Sequence, residues 1–200
     1  ANCTSKLERV WNNAGGGAGG RAPLSLWSPN HGADGSRFFV KVGDYASSSQ
    51  DKPAVAVLIR LRHTDAGAYM NADDKVLMAD LVSKFAPYPK RYQMVWSQRG
   101  TSGNSDGSGP VDSVYFWRPV PRSKRYVALG MVATTTEEPP PLEAVHTVPR
   151  KWVVPTKMEP VQIWNDQGSG GRAGSVWAIN EYSLIAATKG HAAPSGLFFS

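Results

Sequence analysis

The sequence repeats one pattern three times, and this internal repetition constrains the fold more than any other feature. Each unit has a tryptophan, a polar pair, a glycine-rich stretch, a second tryptophan and an aromatic-led segment that ends in a small residue. The first and second tryptophans of the three units are Trp11 and Trp27, Trp96 and Trp117, and Trp164 and Trp177. Repeats of this length are typical of supersecondary units that stack on one another. We therefore predict a single domain over residues 1–200, with units at approximately 9–60, 94–150 and 162–200.

The segments between the turns are short and rich in aromatic and β-branched residues. The chain has 20 glycines and 15 prolines spread along its length, and runs such as FFVKV (Phe38–Val42) and YVALG (Tyr126–Gly130) lie between them. Such runs are too short for helices and are typical of strands. The spacing between paired tryptophans varies only in the glycine-rich stretch, as expected for a hairpin tip. The sequence thus predicts an all-β, β-prism-like fold with three pseudosymmetric antiparallel sheet units.

The two ends of the chain resemble parts that the third unit lacks. An N-terminal strand at residues 5–11 reads like the last strand of a unit, and the C-terminal LFFS (Leu197–Ser200) aligns with AVHT (Ala144–Thr147) of the second unit. We predict that the N- and C-terminal strands pair and close the third unit, because closure leaves no open sheet edge.

The first glycine-rich stretch also contains the G-x-G-x-x-G spacing of dinucleotide-binding loops, at residues 15–20. That spacing indicates a phosphate site only between a strand and a helix, because the helix N-terminus supplies the amide groups. Here Pro23 and the alternating Leu24 and Leu26 indicate a strand instead. We therefore interpret the glycines as hairpin residues rather than as a nucleotide site.

One segment allows two interpretations. In DDKVLMADLVSKF (Asp73–Phe85), two leucines and Phe85 recur at i, i+4 and i+8, which is typical of an amphipathic helix. However, DLV at 80–82 occupies the place that WVV at 152–154 holds in the next unit, which favours a strand. The sequence leaves both structures open.

Patterns that would indicate catalysis or metal binding are weak. GNSDG (Gly103–Gly107) matches the G-x-S-x-G nucleophile motif, but that motif requires a strand before and a helix after it, and here it falls in a hairpin tip. The histidines His31, His63, His146 and His191 lie in different segments without metal-ligand spacing, and the chain has one cysteine. We predict no enzymatic activity, no cofactor and no metal site.

The basic residues outnumber the acidic ones and favour an anionic partner. The net charge is +6, and its densest group is formed by Arg118, Arg122, Lys124 and Arg125. A solvated loop is the structural alternative to a binding patch. We keep these four residues as candidate ligand-binding residues for an anionic lipid, and we expect no nucleic-acid partner.

A polar pair follows the first tryptophan of every unit: Asn12-Asn13, Ser97-Gln98 and Asn165-Asp166. Beside a glycine turn, such side chains can cap a hairpin by bonding its backbone. A role in ligand recognition is the alternative, with Asn12, Asn13, Gln98, Asn165 and Asp166 as the candidate residues. The repeat tryptophans are predicted to fill the core, whereas Trp152 stands outside the repeat and is a candidate for the surface.

Three motifs resemble the vacuolar protein sorting-associated protein 62 family: IWNDQGSG (Ile163–Gly170), SVYFWRPVP with RYVALGMVATTTEEPP (Ser113–Pro140), and AVHTVPRKWVVP (Ala144–Pro155). The resemblance implies a non-enzymatic binding module of a trafficking-type protein. In related adaptor-binding repeats, asparagine-type residues and sheet edges take extended peptides, so the implied partner is an adaptor peptide or an anionic membrane. The chain departs from the repeated pattern at two places. In the second unit, Met131 replaces the acidic residue that the first unit has as Asp44, and the third unit lacks the Arg-Pro that follows the second tryptophan of the second unit.

A second class of function stays open. β-Prisms also serve as lectins and as targeting domains of pore-forming proteins, so the alternative is a lectin-like or toxin-associated module that binds cell-surface glycans or membranes. The chain lacks a repeated Q-x-D-x-N-x-V-x-Y lectin motif, which weakens the support for this alternative. A trafficking role favours the cytoplasm or a membrane periphery, and secretion is the other option.

Overall fold

The chain folds mainly into antiparallel β-sheets, which confirms the all-β prediction. The computed structural model describes residues 2–3, 7–13, 22–29, 39–53, 56–60, 72–100, 112–167 and 172–200. In chain order the elements are β1 (Asn2–Cys3), β2 (Leu7–Asn12), β3 (Ser25–Pro29), β4 (Phe39–Val40), β5 (Tyr45–Ser47), β6 (Val57–Arg60), α1 (Ala72–Phe85), β7 (Arg91–Gln98), β8 (Val114–Val120), β9 (Tyr126–Val127), β10 (Val132–Thr134), β11 (Val148–Pro149), β12 (Val161–Asn165), β13 (Gly174–Ala178) and β14 (Ile185–Lys189). The stretch at 15–20, the GNSDG motif at 103–107, His31 and His63 lie outside the described residues.

Three of the sheets are built on one plan. Their strand orders are β2-β3-β5, β7-β8-β10 and β12-β13-β14, and neighbouring strands are antiparallel. The first strand of each sheet carries a β-bulge directly before the first repeat tryptophan, between Arg9 and Trp11, Met94 and Trp96, and Gln162 and Trp164. Since a bulge shifts the register of a strand, the same bulge marks the same register in all three hairpins.

The strand that follows the first glycine-rich stretch decides the nucleotide question. β2 and β3 flank this stretch and pair in register from Leu7 opposite Pro29 to Asn12 opposite Ser25. A strand therefore stands where a dinucleotide-binding loop would need the N-terminus of a helix. The described strands on either side are thus the two strands of a hairpin, whereas the glycine-rich stretch itself lies outside the described residues.

The predicted pairing of the two chain ends is wrong in the described residues. β2 pairs with β3 and is the first strand of the first sheet, not the last strand of the third unit. β1 pairs with β6, and the C-terminal Phe199 forms a bridge with Pro155. The reason is local: a hairpin partner close in sequence costs less loop-closure entropy than a partner at the far end of the chain.

The first tryptophan of each unit lies in the core and bonds to another unit. Trp11, Trp96 and Trp164 are buried. Each indole nitrogen donates to a carbonyl just before the second hairpin strand of another unit: Trp11 to Asp112 (2.7 Å), Trp96 to Ala173 (3.0 Å) and Trp164 to Ala22 (3.1 Å). The direction is cyclic, from the first unit to the second, the second to the third and the third to the first. The predicted core role is confirmed, although Trp27 is only half-buried.

The third strands of the three sheets meet in a ring of backbone hydrogen bonds. The amide of Asp44 donates to Met131 O (2.9 Å), the amide of Met131 donates to Ile185 O (2.9 Å), and the amide of Ile185 donates to Asp44 O (3.2 Å). A Cβ atom on Gly43 would lie 3.0 Å from the Gly130 Cα, which is closer than the normal contact distance of about 3.5–4 Å. Glycine at these two positions therefore lets the backbones approach and complete the ring.

A buried ion pair stands at one position of this ring. The Asp44 carboxylate accepts a hydrogen bond from Ala133 N (2.9 Å) and lies 2.8 Å from Lys41 Nζ. Met131 holds the equivalent place in the second unit, and its sulfur accepts a bond from Ala187 N (3.3 Å). The replacement of the acidic residue by Met131 thus keeps a contact to the neighbouring unit without a buried charge.

Residues 72–85 form a helix, which resolves the segment that the sequence left open. Val82 is buried within a hydrophobic cluster. In contrast, Leu77 and Phe85 are 55% and 47% exposed. At these two positions the predicted apolar stripe therefore faces solvent and not the core.

Candidate functional site

The polar pairs of the first and third units cap their hairpins. Asn13 Oδ1 accepts a hydrogen bond from Leu24 N (2.8 Å), and its Nδ2 donates to Ala22 O (2.9 Å). Asp166 Oδ1 makes the equivalent bond with Gly174 N (2.8 Å). These side chains satisfy backbone groups at the point where each hairpin opens into its tip, which is the structural role that short polar side chains play beside turns.

The other predicted polar residues also lie at the hairpin tips. Asn165 Oδ1 accepts from Gln167 N (3.0 Å), and its Nδ2 donates to Gln162 Oε1 (3.1 Å). Asn12 and Gln98 are half-buried at the tip ends of β2 and β7. The five polar candidates thus lie at the tip ends of three hairpins that hydrogen bonds join to one another: Ala22 O accepts from both Asn13 Nδ2 and Trp164 Nε1, and Trp164 directly precedes Asn165.

The basic residues gather at the other end of the second hairpin. Gln98 stands opposite Val114 near the tip, whereas Arg91 stands opposite Val120 at the far end, where the turn to β9 begins. A strand rises about 3.4 Å per residue. The basic turn and the polar tip of this hairpin are therefore separated by the length of β7, roughly 24 Å.

Strand pairing brings two basic segments together. β9 pairs with β11, with Tyr126 opposite Pro149. The residues just before β9 and just after β11 therefore become neighbours. Arg150 N donates to Arg125 O (2.8 Å), and Arg150 Nε donates to Lys124 O (3.2 Å).

These segments and the end of α1 form a groove of about 660 Å³, which we call the basic groove. It is lined by Lys84, Phe85, Lys124, Arg125, Tyr126, Pro149, Arg150 and Lys151. Five of these residues are basic, none is acidic, and the five basic side chains are exposed. Lys84 Nζ pairs with Asp80 at 2.6 Å. Within the described part of the chain, no carboxylate forms an ion pair with the other four, so the basic groove presents uncompensated positive charge.

Exposed apolar side chains border the basic groove. The Phe85 ring stacks on the Trp152 ring, with centroids 6.0 Å apart and an interplanar angle of 23°. Both rings are about half exposed. We call Phe85 and Trp152 the apolar rim. The predicted placement of Trp152 at the surface is confirmed by its 49% exposure.

The sequence predicted part of this groove. Lys124 and Arg125 line it, whereas Arg118 and Arg122 do not. Arg118 is exposed on β8 opposite Gln93. Arg122 Nε donates to Tyr88 O (3.1 Å), as expected for a residue that stabilises a loop.

Three basic residues of the groove are not among those predicted from the sequence: Lys84, Arg150 and Lys151. One pattern in the sequence points to two of them. The pair at 124–125 directly precedes a strand, and the pair at 150–151 directly follows another. Antiparallel pairing of these two strands places both basic pairs at one end of the ladder.

Other chemistry is not evident near the groove. Hydrogen bonds from the hydroxyls of Ser200 and Thr156 lower the pKa of Glu181 to about 2, and Glu181 does not line the groove. In the ranges that the structure describes, no cluster of three or more histidine, cysteine or acidic residues could hold a metal ion. None of the described helices is long and apolar enough to cross a membrane.

Comparisons with known proteins agree with this architecture. The chain is similar in fold to the crystal structure of GNIP1Aa from Chromobacterium piscinae, with a TM-score of 0.62 and 20% sequence identity, and the match covers 94% of this chain. It covers 32% of that chain, so the present sequence spans about a third of its length. No curated protein sequence matches. The family model for vacuolar protein sorting-associated protein 62 matches residues 2–193, and the chain belongs to that family.

Proposed function

We propose that this chain is a non-enzymatic binding module that docks on an anionic membrane surface through the basic groove and the apolar rim. Membership of the family and the fold likeness fit a binding module rather than a catalyst. The observation that carries the proposal is the basic groove itself. It gathers five basic residues without a lining carboxylate, directly beside an exposed aromatic pair.

The basic groove suits the headgroup region of a membrane, and the apolar rim suits the boundary between headgroups and acyl chains. Anionic headgroups attract juxtamembrane lysine and arginine at about 1 kcal/mol per residue, so the four groove cations that form no ion pair supply on the order of 4 kcal/mol, while Lys84 is paired with Asp80. Tryptophan is favoured at the membrane–water interface, and exposed apolar side chains enter the boundary between headgroups and acyl chains. Trp152 and Phe85 are placed to make that second contact.

We also propose that the three similar sheets form a prism around a pseudo-threefold axis. The cyclic tryptophan bonds and the ring through Asp44, Met131 and Ile185 support this arrangement, because each links every unit to the next. In such a frame the groove belongs to the second unit, since β9 and β11 build its wall. The frame would hold the basic residues in fixed positions relative to α1.

An adaptor peptide and a cell-surface glycan are the competing ligands. Peptide recognition by the hairpin tips would use Asn13 and Asp166, but both side chains are engaged in hydrogen bonds to their own hairpins. Glycan recognition is suggested by the fold class alone. The membrane therefore has the stronger support, and the other two ligands become arms of the test.

The proposal is tested by co-sedimentation with vesicles of phosphatidylcholine, with and without phosphatidylserine. The Lys124→Ala/Arg125→Ala variant removes two charges from the groove, and a matched Arg99→Ala/Arg118→Ala variant removes two exposed charges outside it. At about 1 kcal/mol per charge, the groove variant should bind anionic vesicles about thirtyfold more weakly. The matched variant should bind nearly as well as the parent.

Two results would contradict the membrane proposal. Equal losses of vesicle affinity in both variants would mean that binding depends on the net charge of the protein and not on the groove. Binding to an acidic peptide or on a glycan array, without binding to anionic vesicles, would assign the module to one of the competing ligands.

A further inference from the structure

We propose that the basic groove selects lipid headgroups that carry phosphomonoester groups, such as a phosphatidylinositol bisphosphate, and that Arg150 is the residue that binds the phosphate. This inference rests on the proposed membrane function and adds the headgroup class to it. Three properties of the groove lead to it: its concave shape, the fixed position of Arg150 and the adjoining apolar rim.

The shape of the groove separates it from a flat basic patch. A flat patch attracts any anionic surface in proportion to its charge density. The basic groove has a volume of about 660 Å³, within the range of pockets that enclose small ligands. Its cations come from the end of α1, the turn before β9 and the turn after β11, so they surround the same space. Such a site binds one headgroup with several negative charges more tightly than it binds several lipids with one charge each.

Arg150 is held in place before any ligand arrives. Its backbone amide bonds to Arg125 O, and its Nε bonds to Lys124 O at 3.2 Å. The guanidinium carbon also lies 5.0 Å from the centre of the Phe199 ring, within the range of a cation–π contact. The ordering entropy of this long side chain is therefore largely lost in folding and not again in binding.

The remaining donors of Arg150 suit a phosphate. A guanidinium has five N–H donors, of which Nε uses one. Within the described part of the chain, its two terminal nitrogens make no hydrogen bond to protein. Their planar fork matches two phosphate oxygens at once, whereas a lysine offers only a point charge. Lys124 and Lys151 would add such point charges on either side.

The apolar rim indicates that the phosphate belongs to a lipid. Trp152 directly follows Lys151 in the chain and stacks on Phe85, which itself lines the groove. A soluble inositol phosphate would engage the cations and leave the rim in water. A lipid-borne headgroup lets the same surface place its cations on phosphate and its exposed rings at the acyl boundary.

The experiment compares two sets of vesicles with the full chain. One set contains phosphatidylserine, and the other contains a phosphatidylinositol bisphosphate at an amount that matches the surface charge. We expect at least about tenfold tighter binding to the bisphosphate vesicles, which corresponds to about 1.4 kcal/mol. We expect Arg150→Lys, which keeps the charge, to lose most of this preference while it still binds phosphatidylserine vesicles. The matched variant Arg118→Lys should keep the preference.

The pH dependence of vesicle binding is an independent test, because a merely structural role of Arg150 would not change it. A phosphomonoester gains its second charge near pH 6. Binding to bisphosphate vesicles should therefore strengthen as the pH rises from about 5 to about 7, and binding to phosphatidylserine vesicles should not. Arg150→Lys should reduce this pH dependence.

The possible failures are distinguishable. Equal binding to the charge-matched vesicles, or an unchanged preference in Arg150→Lys, would overturn the headgroup inference and leave the membrane proposal standing. Competition by soluble inositol bisphosphate at the same affinity as the lipid would overturn the assignment to a membrane lipid. Absence of binding to either vesicle would refute the proposed function itself. Circular dichroism of both variants would confirm that they fold.

Discussion

Gly174→Ala places a methyl group inside the central tryptophan cluster. An ideal Cβ at this position would lie 2.1 Å from Trp96 Cε2 and 2.3 Å from its Nε1, whereas carbon atoms normally approach to about 3.5–4 Å. The ring must therefore move by more than about 1 Å. It has little room, because Phe116 and Trp164 pack against it at 5.7 Å and 5.9 Å between ring centroids.

The cost of this clash has two parts. Overpacking a well-filled core costs about 1–3 kcal/mol. Displacing the indole also weakens the bond from Trp96 Nε1 to Ala173 O, now 3.0 Å long, whose net value is about 1 kcal/mol. We expect the free energy of unfolding to fall by about 2–4 kcal/mol in total. For a domain of this size, that corresponds to a decrease in Tm of about 5–15 °C.

Thermal unfolding followed by circular dichroism measures this effect. The control is Gly190→Ala, since nothing lies within 4 Å of a Cβ there and only the positive φ of +82° opposes the side chain. We expect about 1 kcal/mol from that strain. In a Trp96→Leu background, the smaller side chain should relieve most of the cost of Gly174→Ala. A Gly174→Ala protein as stable as the Gly190→Ala protein, or a cost that persists without the Trp96 ring, would refute the packing argument.

Three further predictions concern the core. Asp44→Asn leaves the Lys41 ammonium buried beside a neutral partner and should cost about 3–5 kcal/mol in urea unfolding; a loss under 1 kcal/mol would show that the pair is solvated. Trp11→Phe removes the bond to Asp112 O and should destabilise by about 1–3 kcal/mol, and no loss would argue against a link between the units. Burial raises the pKa of Tyr92 well above its ordinary value. Its phenol should therefore stay protonated when exposed tyrosines ionise. Its contribution to stability should decline as the pH rises above about 10, because the unfolded chain loses that proton first. Ionisation of every tyrosine near pH 10 in the folded protein would contradict this.

Local patterns in the sequence were sufficient to predict the hairpins and their core tryptophans. Each first tryptophan is followed by a glycine-rich stretch and a second strand, and this order specifies a hairpin without information from the rest of the chain. The structure has such hairpins in β2–β3, β7–β8 and β12–β13. The cyclic bonds that join them were not predictable, because their acceptors are backbone carbonyls and carry no mark in the sequence.

The groove was only partly predictable for a different reason. Lys124 and Arg125 stand in a visible basic cluster, but Arg150 is 25 positions further along the chain from Arg125. Only the pairing of β9 with β11, two residues each, makes them neighbours. Strands this short have little hydrophobic pattern of their own. Their pairing is fixed by the tertiary packing around them, which a single sequence does not reveal.

The chain ends show how a plausible symmetry argument can fail. In the sequence, the third unit lacks a strand, and the N-terminal segment reads like the one that it lacks. The bulge before Trp11 instead makes β2 the counterpart of β7 and β12, the first strands of their hairpins. The same tryptophan that defines the repeat therefore already indicated the correct partner of β2.

Quenching of tryptophan fluorescence by brominated lipids tests the membrane proposal most directly. Of the seven tryptophans, Trp152 is about half exposed, Trp27 is half-buried and the other five are buried. With anionic vesicles whose acyl chains carry bromine near the headgroup, we predict quenching in the parent protein and its loss in Trp152→Phe, which keeps the aromatic stack with Phe85. Vesicle binding without quenching, or equal quenching in Trp152→Phe, would show that the protein meets the membrane through another surface and would contradict the account.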